Sequence, residues 1–331
     1  MSRRYVVIGA GAVGALLAAQ FELAGIPAVL VARGPHLTAI RAGGLRVRRP
    51  HATQTVRLDA AGGPAEVRLS TRDVLVLATK AQDVEGALAQ WAWQPLADSD
   101  GLAADLPILT VQNGLVAEEL ALRRFARVYG VTIGIAASYL TPGEVVSPSY
   151  PLIGVAWLGR YPDRADPDQE EYVRDLTQAG YGVHSVRDIS AWKARKLLGN
   201  VRNGLDLLDG TPEEKARAAE LLAAEATAAY AAAGIVPAGG ADALRGGRFR
   251  LTVEPVPGHT PGRASTWQSV ARGVSSEVDH LNGEIVRLGR RYGVPTPLNE
   301  RLQRLLGAQA VAGDPPGTHR VADLLGVNAG V

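Results

Sequence analysis

The sequence predicts an α/β domain of the Rossmann type over residues 1–187 and an all-α domain over residues 188–331. Three observations carry this prediction. An apolar, β-branched run, Arg4-Tyr5-Val6-Val7-Ile8, leads straight into Gly9-Ala10-Gly11-Ala12-Val13-Gly14, and a helical pattern follows at once in Ala15–Ala24. Near-continuous apolar runs recur at Asp73–Ala78 and Ile108–Val111, as buried parallel strands require. Beyond residue 187 the periodicity is that of helices.

The opening strand, tight turn and helix carry a specific chemistry. Gly9 permits a sharp turn, Gly11 lets the backbone approach a pyrophosphate, and Gly14 lets helix and strand pack closely. The free N–H groups at the helix start then face the anion. Gly9, Ala10, Gly11, Ala12, Val13 and Gly14 are therefore expected to cradle a dinucleotide.

Bulk composition fits two globular domains. The 331 residues are 47% hydrophobic and 21% charged, with a formal net charge of +2. Nothing here suggests a nucleic-acid patch, and no apolar run reaches the roughly 18 residues of a membrane span. With no cysteine, disulfides, thiolate metal sites and a catalytic thiol are excluded. The start Met-Ser-Arg-Arg-Tyr-Val runs directly into the first strand, so no signal peptide is expected and a cytoplasmic location is the default.

Along the chain, Gly25-Ile26-Pro27 closes a turn and Ala28–Val31 reads as the second strand. NAD-binding folds place an acid at the end of this strand, to bond the ribose 2′-hydroxyl. Here the residues are Ala32-Arg33-Gly34, and a guanidinium suits a 2′-phosphate. NADP(H) is thus the expected cofactor, with Arg33 its selector and His36 and Arg41 nearby for extra contacts. The competing reading of Arg33 is an ordinary solvated arginine. The run Asp73–Ala78 ends in Thr79-Lys80, and Ile108–Val111 ends in Gln112-Asn113-Gly114, so Lys80 and Asn113 lie at carboxyl ends of strands, where ligands sit. A solvent-facing loop lysine and simple turn chemistry are the alternatives. Segments 131–136, 143–146 and 152–158 are read as an antiparallel edge of the same sheet, followed by a helix opened by Asp166-Pro167 and a short strand at 181–185. The remainder is read as a helix over 189–208, a capping box at Thr211–Glu214 opening a helix to about Ala233, a Pro-bearing loop over 250–263, and helices near 265–272, 276–291 and from Thr296-Pro297.

Two polar sets could do chemistry. Trp192, Lys196 and Asn200 recur at steps of four on one helical face, with Asn203 close behind. An Asn and a Lys held together could bind and protonate a carbonyl oxygen; a snorkelling lysine beside an Asn is the bland alternative. In Ser276–Glu284, Glu277, His280 and Glu284 are expected to share one face, and a carboxylate beside Lys196 would keep it protonated. The alternative is a solvated charged helix. No His pair has ligand spacing with a supporting carboxylate, so no metal is expected, and no nucleophile elbow is present.

Taken together, these motifs resemble the ketopantoate reductase (2-dehydropantoate 2-reductase) family over nearly the whole chain. The resemblance rests on Gly9–Gly14, Val31–Gly34, Thr79-Lys80-Ala81, Gln112-Asn113-Gly114, Trp192 with Arg195-Lys196-Leu197 and Asn200, Ser265 with Gln268, Ser276-Glu277-Val278-Asp279 with Asn282-Gly283, and Gly293–Pro297. It implies an NADPH-binding domain and a helical domain like the C-terminal domain of 6-phosphogluconate dehydrogenase. Lys196 matches the catalytic lysine and Glu277 the carboxylate that works with it. Asn113 and Asn200 match residues near the nicotinamide and the substrate oxygen, Ser265 a substrate-carboxylate contact, and Lys80 a lysine lining the cleft. It further implies a place in pantothenate biosynthesis and a homodimer through the helical domain. One departure concerns the second Asn of the family, four residues after Asn200. That position is Gly204 here, and the amide sits at Asn203, the expected further substrate contact. Arg202, Asp206 and Ser269 also depart from the pattern.

The expected function is NADPH-dependent reduction of a 2-oxo acid, ketopantoate first among them, to a 2-hydroxy acid. Two rivals use the same residues: a sister reductase acting on another carbonyl or an imine, and an NADPH-binding sensor without turnover.

Overall fold

In a computed structural model, which describes residues 3–164, 166–239, 249–257, 259, 266, 267, 270 and 276–326, the opening apolar run becomes β1 (Arg4–Ile8), an interior strand of a wide sheet. Its alternating side chains serve two cores, because successive residues of a strand point to opposite faces. Tyr5 and Val7 pack with Leu16, Leu17 and Phe21 of α1 (Ala12–Leu23), while Val6 and Ile8 pack with Leu88 and Trp91 on the other face.

Chain order continues through β2 (Ala28–Val31), α2 (Gly34–Gly43), the hairpin β3 (Leu45–Arg49) and β4 (Ala52–Val56), β5 (Asp59–Ala61), β6 (Asp73–Leu77), α3 (Val84–Trp91), β7 (Pro107–Thr110), α4 (Ala117–Leu122) and β8 (Arg127–Gly134). Then come β9 (Glu144–Val146), β10 (Ser149–Pro151), β11 (Val155–Tyr161), α5 (Asp168–Gln178) and β12 (Gly182–Ser185). Among the described residues, eight strands form one sheet in the order β12-β11-β8-β7-β6-β1-β2-β5. Every neighbouring pair is parallel except β11 with β8. The expected antiparallel edge is thus half right. β8 and β11 supply it, but β9 leaves the sheet to pair with β3, whose hairpin with β4 completes a separate three-stranded sheet.

Two compact units emerge. One comprises Met1–Gln112, Val116–Trp192 and Gly239–Pro261; the other comprises Asn113–Leu115, Lys193–Ala238 and Gly262–Val331. The helix expected over 189–208 stops sooner. α6 spans Ile189–Asn200, and a tighter 3₁₀ turn, Asn203–Leu207, replaces its last part. α7 (Pro212–Ala233) opens on the expected box: Glu214 N donates to Thr211 Oγ1 at 3.2 Å, and Thr211 N donates to Glu214 Oε2 at 2.8 Å. The Pro-bearing loop is corrected in part, since β13 (Leu251–Val253) pairs antiparallel with β10 in the first unit. The helix expected over 276–291 is broken. A 3₁₀ turn, Val278–His280, precedes α8 (Asn282–Tyr292), with Leu281 at φ −110°, ψ −82° between them. α9 (Pro297–Ala312) and α10 (Val321–Leu325) follow. The helix expected near 265–272 lies largely outside the described residues. The second core joins Leu197, Val201, Leu222, Tyr230, Ile285, Leu302 and Leu306. Among the described residues, no helix is long and apolar enough to cross a membrane.

Candidate active site

In the first unit the glycine turn is built as a cradle. Gly9 has φ +110°, a region L side chains avoid, and a Cβ there would lie 2.8 Å from the Thr79 nitrogen. A Cβ on Gly14 would collide with Gly9 O and the Ala78 side chain, so helix and strands meet backbone to backbone. Gly11, extended at the head of α1, has open space where a side chain would begin, and the first turn of α1 carries no acidic residue. Unpaired amides facing open space suit a pyrophosphate.

Neighbouring strand ends add polar groups. The Thr79 hydroxyl, just past β6, is buried and lacks a protein hydrogen-bond partner. Gln112, past β7, is buried and donates from Nε2 to Leu77 O at 2.8 Å and Thr79 O at 3.1 Å, fixing the two strand ends together. Its clamping role was not evident from the motif, because only the sheet order makes β6 and β7 neighbours. Lys80 follows, half-buried and extended, heading the 3₁₀ turn Ala81–Asp83. Arg33 is exposed and extended at the head of α2, whose first turn carries Pro35 and no acid. The backbone of the glycine turn therefore fits a dinucleotide, and Arg33 is an exposed cation at the head of α2. The extra contacts expected nearby are corrected. His36 is buried, accepts a hydrogen bond at Nδ1 from Gly143 N at 2.8 Å, and packs on Tyr139. Arg41 donates to Ala60 O and pairs with Glu66.

In the second unit Lys196 lies half-buried on α6. Burial, reinforced by Lys193 and partly offset by Glu277, lowers its pKa from 10.5 to about 8. Glu277 is itself only 4% exposed, so the pair shares a poorly solvated setting. Asn200 ends α6 and Asn203 begins the 3₁₀ turn; both are half-buried. The turn's placement explains the departure at Gly204. A Cβ there would come within 2.6 Å of Leu306 Cδ1, so α9 occupies the room a second Asn would need. Arg202 and Asp206 are exposed. Asn113 groups with the second unit, where Gly114 lies against the His280 carbonyl and Leu115 packs on the second core.

The remaining expectations divide. Trp192, Lys196 and Asn200 do lie at steps of four within α6, and the Trp192 ring stacks on Trp157 at 5.0 Å in the first unit. Glu277, His280 and Glu284 do not form one helical face, because the chain breaks at Leu281, and Glu284 instead binds Arg287 through two hydrogen bonds of 3.0 and 2.5 Å. Ser265 and Gln268 lie outside the described residues. A buried network escaped sequence reading altogether. Asn282 Nδ2 donates to Val201 O at 2.8 Å and Asn299 Oδ1 at 2.9 Å, while Asn299 donates to Leu222 O and Glu225. It ties the residue after α6 to α7, α8 and α9. The Asn282-Gly283 and Thr296-Pro297 motifs were its only visible trace.

The chain matches the family described as Ketopantoate reductase PanE/ApbA over residues 5–162 and Ketopantoate reductase PanE/ApbA C terminal over residues 188–310. A 2-dehydropantoate 2-reductase from Mesorhizobium japonicum is 29% identical over 341 residues, covering 93% of this chain and 98% of that one. A PanE/ApbA family ketopantoate reductase structure from Ralstonia eutropha JMP134 superposes with a TM-score of 0.75 at 24% identity, covering 94% and 99%. D-mandelate dehydrogenase in a ternary structure with NADH and anilino(oxo)acetate gives 0.76 at 21% identity, again over 94% and 99%.

Proposed function

The chain belongs to the ketopantoate reductase family, oxidoreductases acting on CH–OH groups, and on that premise we propose that it reduces the ketone of a 2-oxo acid, ketopantoate first, with NADPH. The observation that carries the reading is Lys196: a half-buried ammonium beside a buried carboxylate, with a pKa of about 8 that suits a proton donor near neutrality. Bound NADPH supplies the hydride to the ketone carbon. Lys196 gives its proton to the ketone oxygen, which becomes the hydroxyl, and its positive charge stabilises that oxygen as charge develops. Glu277 favours the charged form of Lys196 and so keeps the donor loaded. Asn200 and Asn203 supply amides for orienting the substrate, Asn113 one for orienting the nicotinamide and the substrate oxygen, and the Ser265 hydroxyl donates to the carboxylate. Thr79 and Lys80 extend the cofactor contacts of the Gly9–Gly14 turn. Arg33 at the head of α2 supports NADPH over NADH, although a structural neighbour was solved with NADH.

Gly204 favours a second reading, a reductase of another 2-oxo acid, because Leu306 fills the place of the family's second Asn. NADPH consumption across ketopantoate and a panel of 2-oxo acids and imines separates the readings. Oxidation of NADPH by ketopantoate at the highest kcat/KM supports the first. Preference for another acid supports the second. Tight NADPH binding without oxidation by any of them contradicts both and leaves a sensor.

A further inference from the structure

The chain holds 35 Lys and Arg residues, and only four are lysines: Lys80, Lys193, Lys196 and Lys215. Two of the four stand three residues apart on α6. That spacing makes them neighbours on the helix surface. Lys193 is 3% exposed, the rarest setting for a lysine, and a buried ammonium costs stability. The arginine between them turns elsewhere, with Arg195 Nε donating to Ala238 O at 2.6 Å.

We propose that Lys193 is a positioning residue for the reaction: its buried ammonium, one helical turn before Lys196, makes Lys196 a readier proton donor. This rests on the reading of Lys196 as the proton donor. Two ammonium groups repel strongly where water is scarce, so the buried charge of Lys193 makes Lys196 easier to deprotonate. Among the described residues, the charged groups acting on Lys196 are Lys193 from its own helix, which lowers its proton affinity, and Glu277 from the segment before α8, which raises it. Burial lowers it further. The carboxylate holds the proton on the donor between turnovers, and the second ammonium prevents that grip from becoming too tight. An uncharged side chain of Lys193's length would fill the same space without this effect.

Four lysines make the test direct. Reductive methylation with ¹³C-formaldehyde labels them, and NMR follows each amine through pH, with Lys196→Met and Lys193→Met assigning the two signals. In the intact chain the Lys196 signal, assigned by its loss in Lys196→Met, should titrate near pH 8. In Lys193→Met the Lys196 midpoint should rise by at least about one pH unit, and the alkaline limb of kcat/KM should move up with it. Lys193→Arg, which keeps the charge, should leave both where they were. A merely structural role for Lys193 would change stability or KM without moving either midpoint. A Lys196 midpoint at its ordinary 10.5 in the intact chain, or one that stays unmoved in folded Lys193→Met, would overturn the proposal. Where Lys193→Met fails to fold, Lys193→Gln, also uncharged, reads the same midpoint. Since the titration needs no substrate, it is also separable from the functional reading, which fails if Lys196→Met keeps full turnover.

Discussion

At the scale of single residues, the account turns on where charge is stabilised and where it is not. Lys196 is protonated at neutral pH although burial opposes it, so the folded chain carries a cost at this position. The sign follows from the shift. With a folded pKa of about 8 against 10.5 unfolded, both states are charged below about pH 8 and the cost is present in full. It fades as pH rises from about 8 to 10.5. Lys196→Met should therefore raise stability by on the order of 2–3 kcal/mol at pH 7, less at pH 10, read by thermal unfolding at the two pH values. An unchanged Tm at pH 7 would mean that Lys196 is well solvated. Arg33, exposed at the head of α2, is expected to act only on cofactor choice. Arg33→Asp should weaken NADPH binding by at least about a hundredfold while changing NADH affinity only slightly, because only the former loses charge-assisted bonds to a phosphate. Equal losses, measured by fluorescence titration, would remove the 2′-phosphate from Arg33.

At the scale of elements, position comes from backbone junctions more than from side chains. The Gly9–Gly14 turn was legible in the sequence because its requirement is steric and local: a positive φ, then a close backbone approach. Gln112 and the Asn282–Asn299–Glu225 network were not, because their partners are set by tertiary packing over sequence distances of 17 to 81 residues. The same limit explains α6. Its polar residues at steps of four suggested a longer helix, but α6 ends at Asn200 and a 3₁₀ turn follows, with Leu302 and Leu306 packed where a Cβ on Gly204 would lie. Asn282→Leu should destabilise the helical unit by about 1–3 kcal/mol, since it strands the Val201 carbonyl and one acceptor of Asn299. It should also lower turnover, because the end of α6 loses its anchor. Chemical denaturation and kcat on the same preparation read both effects. Loss of activity with full stability would assign Asn282 a direct role instead.

At the scale of the molecule, the division of labour was readable early and its connections were not. A Rossmann-type sheet and a helical unit follow from the periodicities. The return of residues 249–257 to the first unit does not, since a Pro-bearing stretch with three β-compatible residues reads as a loop. There Phe249 meets His184 edge-on at 4.9 Å, His184 stacks on Trp157, and β13 pairs with β10. Phe249→Ala should destabilise the first unit by on the order of 2 kcal/mol and speed amide exchange in β10; unchanged exchange would show that strand pairing alone holds the segment. The central claim is that one ammonium of the helical unit completes the reduction begun by hydride transfer. Its most direct measurement is the pH profile of kcat/KM for NADPH and ketopantoate in the intact chain and in Lys196→Met. The account predicts a profile that falls above about pH 8 in the intact chain. In the variant it predicts a loss of at least about a hundredfold and no such fall. A variant with the turnover and pH profile of the intact chain would contradict it.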